Sequence, residues 1–111
     1  MADHLVVSPD SNPSVEIALG SDAGSYPWRL NPAGEFVLLA EHGGLKPIEA
    51  IRAGTTVAPE LLGEQDGLGR VAPGFAADLV AVGGDPLRNL KTLQEVVFVM
   101  KAGSVVRSDR E

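Results

Sequence analysis

Residues 15–24, Val-Glu-Ile-Ala-Leu-Gly-Ser-Asp-Ala-Gly, decide the fold, because they join the pattern of a short strand to a turn that presents one carboxylate. Val15, Ile17 and Leu19 alternate with small or acidic residues, which is the period-2 pattern of a β-strand. The glycines that follow let the backbone end this strand sharply and expose Asp22. Carboxylates at strand ends serve as metal ligands or acid/base groups in α/β barrels. The alternative is that Asp22 caps a turn or the start of a helix.

Composition limits the classes of protein to consider. The chain has 111 residues, 44% of them hydrophobic, so we expect one domain with a single modest core. Its net charge of −6 and scattered basic residues argue against a nucleic-acid partner. The lack of cysteine excludes disulfides and thiolate metal sites and is typical of a reducing compartment. No secretory signal is evident, and no apolar run approaches the roughly 20 residues that cross a bilayer. We therefore expect a soluble, cytoplasmic protein without a membrane partner.

Three short helices are predicted in the middle of the chain. Apolar spacing followed by two glycines indicates a helix over residues 35–42. A second helix is predicted over residues 47–53, with proline at its first position and Gly54 ending it. Thr55 or Thr56 is expected to cap a third helix that contains residues 59–62.

From residue 67 onward, valine- and glycine-rich runs replace the helical spacing and predict β structure. The strand candidates are residues 68–71, 77–82, 96–100 and 104–107. Residues 101–103 are predicted to connect the last two strands as a hairpin. One helical turn is predicted over residues 89–94.

Several sequence blocks, taken in order, carry a resemblance to a known family. The first are Gly-Ser-Asp-Ala-Gly at 20–24, Lys-Pro-Ile-Glu-Ala-Ile-Arg-Ala-Gly-Thr at 46–55 and Glu-Leu-Leu-Gly at 60–63. The next are Gly-Arg-Val-Ala-Pro-Gly-Phe-Ala-Ala-Asp-Leu-Val-Ala-Val at 69–82, Gly-Asp-Pro-Leu at 84–87 and Val-Met-Lys-Ala-Gly at 99–103. Together they resemble the C-terminal part of metal-dependent amidohydrolases, closest to the imidazolonepropionase-like and prolidase-like branch.

The resemblance implies an α/β or α+β fold with two parts. Residues 15–66 would form the end of a partial (β/α) barrel, with its last strand and trailing helices. Residues 67–107 would form a small β-sandwich-like antiparallel region. Residues 1–14 are interpreted as a loosely ordered lead-in and residues 108–111 as a tail.

The resemblance also implies a role for Asp22, which matches the aspartate that ends the eighth barrel strand of the family. That aspartate is a metal ligand and a proton shuttle, and the family's cofactor is zinc or another divalent metal. The family's His-x-His pair has no counterpart here, since His4 and His42 are the only histidines and stand alone. His42 fits better as a cation at the end of a helix. Because a catalytic zinc takes about three protein ligands, we expect this chain alone to bind no metal.

The main functional hypothesis is therefore a truncated, C-terminal amidohydrolase fragment, from a family that hydrolyses amide or cyclic amide bonds. We expect it to be inactive alone and to form a homodimer or higher oligomer through exposed strand edges. One alternative is an active hydrolase completed by a partner chain that carries the rest of the barrel and the metal-binding histidines. Another is a different hydrolytic site that pairs Ser21 or Ser25 with His42.

Other charged residues have structural interpretations. Glu49 and Arg52 are spaced as a weak surface ion pair on the second helix. Asp78 precedes a predicted strand and is expected to accept hydrogen bonds from backbone donors at a turn. Asp85, which stands before Pro86, has the same interpretation.

Overall fold

A computed structural model of the chain describes residues 16–21 and 31–109. Its elements, in chain order, are α1 (Gly34–Gly43), α2 (Pro47–Gly54), α3 (Ala58–Leu61), β1 (Leu79–Val82), a 3-10 helix (Leu90–Gln94), β2 (Val96–Lys101) and β3 (Ser104–Ser108). Helices precede a small antiparallel sheet, which confirms the predicted mixed fold class. No helix in the described ranges is long and apolar enough to cross a membrane. The predicted lead-in lies outside these ranges.

The first two helices form where the sequence predicts them. Gly44, which follows α1, has φ +73°, the left-handed conformation that commonly ends a helix. Pro47 opens α2, where its missing N–H costs nothing. The Glu49 carboxylate accepts a hydrogen bond from the Lys46 backbone N–H at 2.8 Å and so closes the first turn of α2. The predicted Glu49–Arg52 ion pair is wrong, because this carboxylate is engaged at the helix N-terminus instead.

The third helix is confirmed, but its predicted cap is wrong. The residue at the N-cap position is Val57, which makes no side-chain capping bond. Thr55 instead belongs to the end of α2, where its hydroxyl donates to the Ile51 carbonyl at 2.8 Å. A threonine hydroxyl can bond either to a following N–H or to a preceding carbonyl, and here the preceding turn of helix is the nearer partner.

The sheet has the strand order β1-β2-β3, and both strand pairs are antiparallel. In the β1–β2 pair Leu79 faces Met100, and the register shifts after Ala81 because β2 contains one extra residue. In the β2–β3 pair the register shifts after Val99, and the extra residue, Val106, lies in β3. β1 and β3 are therefore the edges of the sheet. Three of the predicted strands are confirmed.

The turn between β2 and β3 is held by the side chain of Asp78, the residue that directly precedes β1. Ala102 and Gly103 have φ +50° and +82°, as a two-residue hairpin turn with two left-handed positions requires. Asp78 accepts a hydrogen bond from the Ala102 N–H at 2.8 Å and another from Lys101 Nζ at 2.9 Å. This confirms that Asp78 accepts hydrogen bonds from a backbone donor at a turn.

Two predicted strands do not form within the described residues. Residues 68–71 form a bend, in which Gly69 has φ +91° and packs against the link between α2 and α3. Residues 16–21, the described part of the first predicted strand, are not assigned as strand. A strand exists only when a neighbour supplies its hydrogen bonds, and no other strand among the described residues lies beside either segment.

The buried core lies among the helices. Leu39 of α1, Ala50 and Ala53 of α2 and Leu90 of the 3-10 helix are buried together. The predicted helical turn near residue 90 is confirmed, with Asn89 accepting a hydrogen bond from the Lys91 N–H at 3.1 Å as its cap. By contrast, every residue of the three strands is exposed or only partly buried. The helices are therefore packed, while the sheet keeps open surface.

Candidate functional site

The segment that precedes Asp22 is anchored on the end of α2. The Leu19 N–H donates to the Ala53 carbonyl at 2.9 Å. Ile17 and Leu19 also pack against the buried core. Asp22 lies outside the described residues, so its roles as catalytic group and metal ligand stay predictions.

A close approach at Gly54 lets this segment and the two longer helices meet. A Cβ on Gly54 would lie 2.6 Å from Phe36 Cζ and 3.8 Å from Leu19 Cβ. The ring of Phe36 on α1 thus occupies the space that any side chain at position 54 would need. The glycine that ends α2 therefore also brings α1, α2 and the segment before Asp22 together.

Glu16 and Glu60 of α3 are a pair of carboxyl groups close enough to interact. The hydrogen bond with the Glu60 carboxyl, together with the negative charge of Glu60, raises the pKa of Glu16 above its ordinary value. Two carboxyl groups share such a bond only while one of them keeps its proton. Sequence reasoning missed this pair, because the two glutamates are far apart in the chain and no local pattern pairs them.

A cleft of about 390 Å³ adjoins Glu16. Its lining combines apolar and charged side chains, contributed by Glu16, Ile17, Leu45, Glu49, Arg52 and Val57. Its charged side chains are one guanidinium and two carboxylates, and no histidine, serine or lysine is among the described residues that line it. The cleft therefore presents no evident acid/base pair around a reacting position.

The predicted serine–histidine site is not assembled in the described part of the chain. His42 is exposed in the last turn of α1, where a cation is favoured by the helix dipole. Ser21 is partly buried, and no hydrogen bond joins it to His42. His4 and Ser25 lie outside the described residues.

The described residues do not fit a metal centre. No group of three or more His, Asp or Glu side chains in residues 16–21 and 31–109 is placed to hold an ion. Asp78 is instead engaged by Lys101, whose hydrogen bond and charge, with the Ala102 N–H, lower the pKa of the Asp78 carboxyl. Asp85 accepts a hydrogen bond from the Leu87 N–H at 2.9 Å, which confirms its predicted structural role.

A second cleft, of about 440 Å³, lies between α3 and β1. Leu79 and Val80 of β1 contribute to its lining, as do Pro59 and Leu62 at α3 and Val71 of the bend. Its lining is mostly apolar, and Asp78 and Arg70 are the charged residues that it includes. Hydrophobic patterning predicted strands on one side of this cleft, but it did not predict that a helix and a strand would enclose an open apolar space.

Comparison with known proteins connects these features to one family. The model of the amidohydrolase family matches residues 10–106. Ochratoxinase of Aspergillus niger is 39% identical over 98 residues, which cover 84% of this chain and 20% of that enzyme. This chain therefore spans about a fifth of the length of the curated relatives it matches.

Solved structures give the same picture. A Xaa-Pro dipeptidase with methionine bound in its active site matches with a TM-score of 0.78 and 35% identity, over 86% of this chain and 23% of that one. A prolidase complexed with N-methylphosphonate-L-proline matches with a TM-score of 0.65 and 36% identity, over 70% of this chain and 20% of that one.

Proposed function

This chain belongs to the amidohydrolase family, and we propose that it supplies the C-terminal part of a hydrolase that acts on amide bonds. The observation that carries the proposal is the family match over residues 10–106, in a chain that spans about a fifth of its relatives. The dipeptidase and prolidase among the similar structures support amide bonds as the substrate class.

In this proposal Asp22 is the chain's one contribution to the chemistry. The fold supports this role, because the segment before Asp22 is anchored by the Leu19–Ala53 hydrogen bond and by packing on the core. A carboxylate that must accept and return a proton works only when its approach to the substrate is fixed. α2 would thus act as the platform for Asp22.

We propose that the chain is inactive alone, because a single carboxylate does not hold a catalytic metal against water. Structural and catalytic zinc sites use three or four protein ligands. The described residues offer no group of three candidate ligands. Any hydrolase built with this chain would then take its remaining ligands from elsewhere.

The test combines metal analysis with activity assays on the purified 111-residue chain. We expect no stoichiometric zinc and no turnover of amide, cyclic amide or ester substrates, with or without added zinc. Asp22→Ala and Asp66→Ala are the paired variants, since Asp66 is an exposed carboxylate outside the stretch of sequence that carries Asp22. Turnover that Asp22→Ala abolishes and Asp66→Ala leaves intact would contradict the inactivity and keep the role of Asp22.

The short span relative to the relatives also favours a second candidate, in which a partner chain completes the barrel. The test is complementation: the chain is mixed with an amidohydrolase barrel from which the matching C-terminal part has been deleted. We expect recovered hydrolysis that depends on Asp22. Failure to recover activity with a correctly folded barrel contradicts this candidate.

We also propose that copies of the chain associate. The support is apolar exposure on the sheet, where Val80, Val105 and Val106 are 61%, 58% and 67% exposed. Unpaired strand edges with apolar side chains favour strand addition by another molecule. Sedimentation at micromolar concentration should give a dimer or a larger species, and a compact monomer contradicts this proposal.

A further inference from the structure

The outer edge of β1 differs from the outer edge of β3 in two features that control strand addition. β1 contains no extra residue, since the shift in its register with β2 after Ala81 comes from β2, whereas β3 contains the extra residue Val106 in its register with β2. β1 consists of four uncharged residues, whereas β3 includes Arg107, whose guanidinium pairs with Asp109 at 2.7 Å. Bulges and charged residues are the devices that protect natural sheet edges. β3 therefore carries both of these devices, and β1 carries neither.

The space beside β1 is open and apolar. Leu79 and Val80 line the 440 Å³ cleft, and α3 and the bend contribute its other side. Leu62 and Val71 on that side are 71% and 86% exposed. A strand added beside β1 would thus find apolar surface next to the backbone hydrogen bonds that it makes.

The charge distribution favours a second copy as the occupant. The chain carries a net charge of −6, which opposes self-association in general. Residues 78–109, however, contain four acidic and four basic side chains and are neutral overall. Two of the acidic residues, Asp78 and Asp109, are paired within the chain to Lys101 and Arg107. The neutral sheets of two copies can approach without the repulsion that the helical part would cause.

We propose that two copies join by antiparallel pairing of β1 with β1, which makes one six-stranded sheet across a two-fold axis. This inference rests on the self-association proposed above and names its surface. Residues that face each other across antiparallel strands have their side chains on the same face of the sheet. A two-fold axis normal to the sheet keeps each side chain on its face, so the axis must run beside one residue that pairs with the same residue of the second copy. Centring on Ala81 pairs Val80 with Val82 of the second copy, twice, and leaves Asp78 outside the valine pairs. Centring on Val80 would instead bring Asp78 opposite a valine.

Cysteine cross-linking tests the register directly, because the chain has no cysteine of its own. Facing residues of antiparallel strands have Cα atoms about 4.5–5.5 Å apart, within the range of a disulfide. We expect Ala81→Cys to give mostly disulfide-linked dimer under mild oxidation at micromolar concentration. Val106→Cys, on the equally accessible edge β3, should remain mostly monomeric on a non-reducing gel. Efficient cross-linking of Val106→Cys with none of Ala81→Cys would overturn the assignment.

A pair of lysine variants tests the same surface without covalent chemistry. Val80 and Val105 are 61% and 58% exposed and lie on opposite edges of the sheet. Val80→Lys should raise the dimer dissociation constant by about tenfold or more, because a lysine on an edge strand blocks strand addition. Val105→Lys should leave it unchanged, with circular dichroism showing that both variants fold. A dimer that Val80→Lys leaves intact overturns this edge, whereas a monomeric wild type overturns the self-association itself.

Discussion

Replacing Gly69 with alanine should destabilise the chain more than any other change at an exposed bend residue. Gly69 has φ +91°, a backbone conformation that strains any residue with a Cβ. The added Cβ would also overlap the Thr55 carbonyl oxygen and lie 2.7 Å from Pro59 Cγ. The Thr55 oxygen belongs to the backbone and Pro59 Cγ to a proline ring, so neither atom moves aside without disturbing α2 or α3.

The expected magnitude has two parts. The left-handed conformation costs a residue other than glycine about 1–2 kcal/mol. Forcing a methyl group into filled space costs about 1–3 kcal/mol. We therefore expect a loss of about 2–5 kcal/mol, a large share of the roughly 5–15 kcal/mol by which a domain is stable.

Urea denaturation followed by circular dichroism measures this loss, and two other glycines separate its parts. Gly74 has φ +87° but nothing within 4 Å of an added Cβ, so Gly74→Ala should cost only the conformational part. Gly67 has open space and no positive φ, so Gly67→Ala should be close to neutral. Equal losses for Gly69→Ala and Gly74→Ala would refute the packing of the bend against the α2–α3 link.

Three further predictions follow from the core and the carboxylates. Leu39→Ala, at a core position 4% exposed, should cost about 2–5 kcal/mol in urea denaturation, whereas Leu61→Ala, at a position 77% exposed, should change stability by less than about 0.5 kcal/mol. Glu60→Gln should return the pKa of Glu16 toward its ordinary value in an NMR titration, and an unchanged titration contradicts the pair. Because the pKa of Glu16 is raised in the folded chain, protonated Glu16 stabilises the fold at low pH, and this stabilisation is lost as pH rises through the folded pKa. For Asp78 the sign is opposite: its lowered pKa gives stabilisation that is present above its ordinary value and is lost as pH falls through the folded value, so Asp78→Asn should remove this acid-side loss from pH-dependent denaturation curves.

The helices could be predicted because residues at or next to their ends favour helix initiation or termination. Proline favours the first turn of a helix and glycine favours its C-terminal end, so the start of α2 and the C-terminal ends of α1 and α2 follow from the sequence. The hairpin at residues 101–103 can also be predicted from the sequence, since glycine at the second position of the turn indicates it. Such features depend on residues within one or two turns of each other.

What failed depends on partners elsewhere in the chain. The pattern at residues 68–71 fits a strand, but Gly69 lies against Thr55, and that contact is invisible to local spacing. The hydroxyl of Thr55 was assigned to the wrong helix for the same reason. Glu16 and Glu60 interact although they belong to segments that are far apart in the sequence. Asp22 is identified by family resemblance and not by the residues around it. The sequence therefore predicts which family residue Asp22 corresponds to, but not whether it acts as a metal ligand or proton carrier in this chain.

The turn at Ala102 has a consequence for how the sheet folds. Asparagine, aspartate or glycine usually occupies its left-handed first position, so the β2–β3 hairpin has a favourable turn residue only at its second position, Gly103. The Ala102 N–H donates its hydrogen bond to the carboxylate of Asp78, which directly precedes β1 on the far side of β2. The hairpin therefore gains this stabilising hydrogen bond only after residues 83–95, which connect β1 to β2, have brought β1 beside β2. Formation of the three strands should be a single cooperative event, with no stable two-stranded stage before it.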